Sequence, residues 1–222
     1  MKRVYLLLIS IIFLFSCKKE KGGSYTETIS KSQKWGLQIG ASAAEVFTKL
    51  QQLGRENNFQ DVAVIRRQAF SDPEAIQNLL VYYDALTLST KTGRTERVII
   101  EFKEEHVSSI TAGGALPDPI SKWPLDIPDQ GAIHENDSVS ELYEKLAAIY
   151  KISHYSYLEL SLPDKTLKKS FDPDMANYNE WGFSFSTVVN SGMTGRSSVR
   201  LVFKDKKLKK IIHEYDEMAF FN

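Results

Sequence analysis

The sequence predicts an α+β fold made of two tandem repeats, each a capped amphipathic helix packed on an antiparallel sheet of about four strands. A Ser-x-x-Glu capping box precedes an apolar, helix-periodic segment in each half, at residues 42–45 and 138–141. A strand-turn-strand pattern ends each half, at residues 98–110 and 199–211. The core-facing positions of these two patterns agree while the outward positions differ, as two copies of one unit would.

The chain opens with a short apolar run, residues 4–16, that follows Lys2 and Arg3 and ends at Cys17, the only cysteine. This run is too short for a bilayer-spanning helix, which needs about 20 residues. The segment 14–17, Leu-Phe-Ser-Cys, resembles the lipobox of bacterial lipoproteins. The resemblance implies cleavage before Cys17 and acylation of its thiol and new amino group, and several acyl chains would anchor the protein stably.

We therefore expect a signal peptide at residues 1–16 and a lipidated cysteine with a flexible tether at residues 17–34. A plain secretory signal also fits the charged start and apolar run, but it would make the cysteine at the cleavage point a coincidence. Lys18, rather than an aspartate, follows the cysteine, and resemblance to the usual sorting pattern then implies the outer membrane of the bacterial cell envelope.

Composition excludes several classes of function. The chain balances 28 basic against 28 acidic residues, and loss of the signal peptide leaves it slightly acidic, so no nucleic acid partner is expected. With Cys17 lipidated, no thiol remains for a disulfide, a zinc site or a nucleophile. No cofactor is predicted.

Repeat 1 is assigned to residues 35–114 and repeat 2 to residues 131–222. The segment between them, residues 115–130, holds four of the seven prolines and predicts a stiff connector. Period-two alternation predicts further strands in each repeat. The alternating apolar residues in repeat 2 are Leu158, Leu160 and Leu162, then Trp181, Phe183 and Phe185.

This unit, a capped helix that leads to a strand-turn-strand with an apolar-x-Phe-Lys pattern, resembles the small outer-membrane-assembly lipoproteins (SmpA/OmlA). Its tandem duplication is similar to the beta-lactamase-inhibitor protein fold. Both resemblances imply a non-catalytic surface that binds other proteins. Of the families' functional residues, Cys17 alone carries over, through the lipobox.

The search for catalytic motifs is negative. The chain contains no His-Glu-x-x-His, no Gly-x-Ser-x-Gly and no phosphate-binding glycine loop, so an enzyme is not predicted, although an unfamiliar site stays open. His213 belongs to the densest titratable group, with Glu214, Asp216 and Glu217, and a solvated tail accounts for it.

Residues 172–180 are the segment with the most oxygen ligands. They supply Asp172, Asp174, Asn177, Asn179 and Glu180, which a calcium ion could collect. The segment lacks the glycine and the spacing of an EF-hand, and an Asp-Pro turn needs the same residue types for its backbone. We predict a turn without a metal.

Tyr155 and Tyr157 are predicted to lie on the solvent face of their strand, paired with Arg200, as a surface of the kind enriched at protein interfaces. The sequence thus predicts a lipid-anchored envelope lipoprotein that binds an envelope protein without catalysis. The alternative is a small-ligand-binding protein or enzyme with a pocket between the repeats.

Overall fold

A computed structural model of the chain describes residues 23–90, 96–114, 116–190 and 192–219. The predicted signal peptide and Cys17 lie outside the described residues. The described part has an α+β fold in which two α-helices pack on mostly antiparallel sheets, which confirms the predicted class.

In the described residues the strands, in chain order, are β1 Tyr25–Ile29, β2 Gln33–Lys34, β3 Leu37–Gln38, β4 Asp61–Val64, β5 Ala85–Thr90, β6 Arg97–Lys103, β7 His106–Gly113, β8 Asp118–Pro119, β9 Lys122–Trp123, β10 Ile133–His134, β11 Leu158–Ser161, β12 Lys165–Thr166, β13 Glu180–Asn190, β14 Met193–Lys204 and β15 Lys207–Ala219. The α-helices are α1 Ala43–Asn57 and α2 Val139–Ile149, and short 3-10 helices occupy Pro73–Ile76, Leu80–Tyr82 and Pro173–Asn177.

Two larger sheets carry the fold. One has six strands in the order β1-β15-β14-β13-β4-β12, and the other has five in the order β11-β5-β6-β7-β8. Neighbouring strands in both are antiparallel. The pairs β2-β3 and β9-β10 form small separate ladders.

Both helices begin at the predicted capping boxes. The Ser42 side chain accepts a hydrogen bond from the Glu45 N–H, and the Glu45 carboxylate accepts one from the Ser42 N–H at 2.8 Å. Ser138 and Glu141 repeat this arrangement at the start of α2. Each box satisfies N–H groups that the first turn of a helix leaves without partners, which fixes where the helix starts.

Each helix buries its apolar face against one of the two larger sheets. Helix α1 lies on the six-stranded sheet, where Leu50 joins a core with Trp181 and Leu201. Helix α2 lies on the five-stranded sheet, where Leu146 joins a core with Leu88 and Ile100. The molecule therefore has two hydrophobic cores, one for each helix and its sheet.

The two tandem repeats are not confirmed, because each helix packs on strands from the other half of the chain. Strand β4 follows α1 and pairs with β13, while β11 follows α2 and pairs with β5. The periodicity of a helix shows which face it buries but not which sheet covers that face.

The predicted tether ends earlier than residue 34. Tyr25–Ile29 form β1 on the edge of the six-stranded sheet, where they pair with β15. Ile29 and Trp35 pack against the core of that sheet, so their burial holds this part of the chain in the fold. The proline-rich connector also packs, since Trp123 is buried in the core of the five-stranded sheet, whereas Leu125 is exposed.

Candidate functional sites

The six-stranded sheet has an open face on the side opposite α1. Two cross-strand rows form its centre. One row is Gly182, Arg200 and Ile212, and the other is Ser184, Ser198 and Glu214. Because side chains alternate along a strand, these residues point away from the core residues Trp181, Phe183, Val199 and Leu201. We call these two rows the open face.

The open face is concave and charged. A depression of about 640 Å³ lies over it, and its lining includes Arg200, Glu214 and Asp164. The small side chains of Ser184 and Ser198 leave this space in the middle of the sheet, and beside them the Ile65 side chain packs over Gly182. Arg200 is exposed, with a guanidinium nitrogen 4.0 Å from a Glu180 oxygen. A weakly held arginine beside small polar residues is suited to contact a partner's carboxylate or backbone.

The structure does not bring Tyr155 and Tyr157 together with Arg200. Arg200 belongs to β14 of the six-stranded sheet, whereas both tyrosines immediately precede β11 of the five-stranded sheet. Alternation along β14 correctly predicted that Arg200 points outward. It could not predict whether β14 and β11 belong to the same sheet.

Tyr155 is not on the solvent face, because it packs against the core of the five-stranded sheet. Its ring makes an edge contact with Trp123 at 5.5 Å, and its hydroxyl donates to Asp126. Burial, followed by this hydrogen bond, raises the pKa of Tyr155. Tyr157 is 43% exposed and donates to Glu96 at 3.2 Å. Of the predicted pair, Tyr157 alone is available to a partner as it stands.

An apolar pocket of about 350 Å³ lies beside Tyr155. Its floor is the end of the five-stranded sheet, at Leu88, Val98 and Leu158, and Trp123 is one of its walls. Its lining also contains charged residues of both signs, Glu96, Arg97 and Asp126. The volume is at the lower end of the range for small-molecule sites, which is about 300–1,000 Å³. The pocket belongs to one sheet rather than to a gap between repeats.

The five candidate cation ligands lie in different environments. Asp172 and Asp174 accept hydrogen bonds from the Arg67 guanidinium at 2.8 and 2.9 Å. The Asp172 side chain also caps the short helix Pro173–Asn177.

Of the remaining three ligands, only Asn177 contacts that pair. Asn177 donates to Asp174, the Asn179 carbonyl accepts from the backbone of Phe203, and Glu180 lies beside Arg200. No group of three or more His, Cys, Asp or Glu side chains in the described ranges could hold a metal ion.

Arg67 is the centre of a buried polar cluster that joins the two crossings between the sheets. Arg67 and Tyr83 lie in the crossing from β4 to β5, and the guanidinium donates to the Tyr83 hydroxyl. That hydroxyl donates to Asp172 at 2.6 Å. The ion pair between Arg67 and Asp172 is buried, so neither charge could lose its partner cheaply.

Lys165 extends the same cluster. Its side chain is fully buried and donates to the Thr166 carbonyl at 2.7 Å, with the ammonium 5.2 Å from the centre of the Phe47 ring. Burial lowers the pKa of Lys165 to about 8, although the carboxylates of Asp172 and Asp84 act in the opposite direction. No pattern in the sequence marked Arg67, Tyr83 or Lys165, because their partners are distant along the chain.

His213 is buried between Glu27 and Ser197, so the expectation of a solvated tail is wrong at this residue. Its Nδ1 lies 3.0 Å from the Glu27 carboxylate and its Nε2 lies 3.0 Å from the Ser197 hydroxyl. Hydrogen bonds from His213 and Lys34 lower the pKa of Glu27.

The hydrogen-bond contacts run from Ser197 to His213 to Glu27, as they run from serine to histidine to the acid in a hydrolase triad. Two facts oppose catalysis here. Ser197 is 5% exposed, which closes it to a substrate. It also lies in the middle of a sheet whose backbone N–H groups pair with β13 and β15, so no donors remain for an oxyanion. The trio instead satisfies buried polar groups.

Comparisons with known proteins add no identity: no family model, curated protein or solved structure matches the chain. In the residues that the structure describes, no helix has the length and apolar character to cross a membrane.

Proposed function

We propose that the chain is a lipid-anchored lipoprotein of the bacterial cell envelope, attached to the outer membrane, that binds another envelope protein without catalysis. The lipobox at residues 14–17 supports the anchor. The open face supports the binding role, because a depression of about 640 Å³ with charged residues in its lining lies over it on the side opposite α1.

The chemistry of the open face suits a protein partner. Small residues at its centre admit a protruding side chain, and Arg200 and Glu214 flank that space with opposite charges. Arginine is enriched among residues that dominate binding energy, because its planar fork makes several directed hydrogen bonds. A partner with a matching acidic and basic pair would bind in a single orientation.

The test of binding is recovery of crosslinked partners from intact envelopes. We expect Arg200→Ala with Glu214→Ala to lower recovery strongly, since an interface anchor costs at least about 2 kcal/mol, or about thirtyfold in affinity. The control is Lys103→Ala with Glu101→Ala, an exposed pair of opposite charges on the outward face of the five-stranded sheet. Equal recovery from both variants would remove the open face as the binding surface.

The anchor has its own test. Cys17→Ser removes the thiol that the lipobox resemblance assigns to acylation, so this variant should no longer partition with membranes. The measurement is the membrane-bound fraction after a high-salt wash. A variant that still sediments with membranes would show that Cys17 does not anchor the protein.

The pocket beside Trp123 favours a second candidate function, which is the binding of a small apolar ligand. A neutral apolar dye should then bind with micromolar or tighter affinity and change Trp123 emission. Ala112→Phe would fill the space, because Ala112 lines the pocket. If this variant binds the dye as well as the unaltered protein does, the pocket is not the dye site.

We also propose that the two helix–sheet units are copies of one repeat that have exchanged their helices. In support, each capped helix is followed by one strand, and that strand pairs with the first strand of the opposite meander, β13 or β5. The matched sequence patterns in the two halves agree with this origin.

A further inference from the structure

The strands β13, β14 and β15 extend beyond the core of the six-stranded sheet. Val188, Thr194 and Met218 form one cross-strand row near their end. Val188 is 79% exposed, Val189 is 42% exposed and Met218 is 47% exposed. We call these three residues the apolar tip. Val188 and Met218 share one face of the sheet. Val189 follows Val188 at an irregularity in the pairing of β13 with β14, so the end of the sheet presents three exposed apolar side chains close together.

The tether enters the fold at the same end of the sheet. Strand β1 starts at Tyr25, which pairs with Tyr215, three residues before Met218 along β15. Three residues of a strand span about 10 Å. Tyr25 is eight positions after Cys17 in the sequence, and an extended chain of that length spans at most about 29 Å. A lipid on Cys17 would hold this end of the sheet close to the membrane.

We propose that the apolar tip inserts end-on into the membrane, at the boundary between headgroups and acyl chains. The proposal rests on the lipid anchor of the proposed function and adds to it a defined orientation of the fold. The anchor places the membrane within reach, and the three exposed apolar side chains at the end of the sheet give the contact its energy.

Charge indicates how the tip would bind. The nearest ionised residues on β15 are acidic, Asp216 and Glu217, and the exposed Arg196 of β14 lies opposite Asp216. This end of the sheet therefore carries no excess of positive charge that would attract anionic headgroups. The exposed lysines lie at the opposite end of the sheet, in the turn between β14 and β15 and in the strand residues next to it. They are Lys204, Lys206, Lys207, Lys209 and Lys210. Insertion of the tip should therefore depend little on salt or on anionic lipid.

The test uses the full lipidated chain in phosphatidylcholine vesicles. Lipidation consumes the thiol of Cys17, so Val188→Cys provides a single site for an environment-sensitive fluorophore. We expect its emission to shift to the blue on reconstitution, and nitroxides on the acyl chains to quench it, in low and high salt alike. Lys206→Cys, labelled in the same way at the far end of the sheet, should keep its aqueous emission.

The outcomes separate this proposal from the anchor. If the protein floats with vesicles but the fluorophore at residue 188 stays aqueous, insertion is overturned and the anchor stands. If the fluorophore at residue 206 shifts instead, or as much, the basic end or the whole sheet contacts the membrane and the proposal is wrong. If the protein does not float, the anchor itself fails, and insertion fails with it.

A last arm tests whether a second copy of the chain covers the tip. The fluorophore at residue 188 is measured in the Cys17→Ser background, in solution without vesicles. Aqueous emission is expected there. A blue shift that grows with protein concentration would show that the tip is an interface between copies, and would overturn membrane insertion.

Discussion

The two helix–sheet units begin alike and end differently. Both helices start at a Ser-x-x-Glu capping box and bury a leucine, Leu50 or Leu146, under a sheet. The five-stranded sheet ends at a pocket walled by Trp123, whereas the six-stranded sheet continues past its core to the apolar tip. The two helices start alike because each has the same local capping sequence. The two sheets end differently, so each unit presents a different surface.

The units also depend on each other, because each half of the chain supplies the helix for the other half's meander. The crossing segments are tied together by the buried contacts of Arg67 with Tyr83 and Asp172. Neither half of the sequence therefore contains a complete core.

The largest expected effect comes from cutting the chain between its two halves, at residue 115. Fragments 23–114 and 116–222 should each fail to fold alone, since each would expose a helix face and a meander. Mixed in equal amounts, they should assemble into a folded complex. Circular dichroism and size-exclusion chromatography measure both results. Cooperative unfolding of either fragment alone would show that the helices need not cross between the halves.

Capping and periodicity made the helices predictable from sequence, since both are local. Ser42 and Ser138 mark the helix starts, and alternation predicted the buried faces at Trp181 and Leu160. The sheet on which each helix packs was not predictable, because the apolar face of either helix is compatible with either sheet. Strand β1 was missed because Thr26 and Thr28 face solvent, so the segment is mostly polar despite its pairing with β15.

Among the candidate sites, too, features set by local sequence were predictable and contacts between distant residues were not. Arg200 was placed correctly on an outward face by local alternation. The contacts of Arg67 with Asp172 and of His213 with Glu27 join residues that are far apart in the chain, and no spacing rule reports such pairs. Geometry from the fold was needed to find them.

The next largest effect is expected in the two cores. Leu50→Ala and Leu146→Ala should each lower the free energy of unfolding by about 2 to 5 kcal/mol, because both side chains are fully buried. Denaturant unfolding measures the loss, and Gln52→Ala and Glu144→Ala are exposed controls on the same helices.

Hydrogen exchange would show which strands lose protection when each helix is weakened. Leu50→Ala should raise exchange in β13–β15, and Leu146→Ala should raise it in β5–β7. A loss below about 1 kcal/mol at either leucine would fall within the range of surface substitutions and contradict the packing. Faster exchange confined to each helix's own half would contradict the exchanged arrangement.

A smaller effect is expected from Lys165, which lies where the two units meet. Its native pKa is about 8, below the ordinary value of 10.5, so between these values the unfolded chain binds more protons than the native state. Stability should therefore rise with pH in this window, by about 2 kcal/mol from pH 7 to 9.5 at 1.36 kcal/mol per pH unit above 8. The measurement stops at pH 9.5 because tyrosines ionise at higher pH. Burial raises the pKa of Tyr83, so the unfolded chain would lose that proton first and stability would then fall with pH.

Replacing the lysine tests this assignment. Lys165→Met should abolish the rise, whereas Lys168→Met, an exposed neighbour, should keep it. Urea unfolding at pH 7 and 9.5 measures the difference for all three proteins. An equal rise in the Lys165→Met variant would mean that another group is the source of the pH dependence.

The smallest effect is expected for calcium at residues 172–180. A bound calcium ion needs six to eight oxygen ligands, but Asp172 and Asp174 already accept hydrogen bonds from Arg67. To recruit them, the ion would have to displace the guanidinium from a buried ion pair, and breaking such a pair costs about 3 to 5 kcal/mol. Millimolar calcium should therefore leave the melting temperature unchanged, in the unaltered protein and in Asp174→Ala alike. A rise of several degrees that grows with calcium concentration, and that Asp174→Ala removes, would show instead that the native state binds the ion and that Arg67 yields its place.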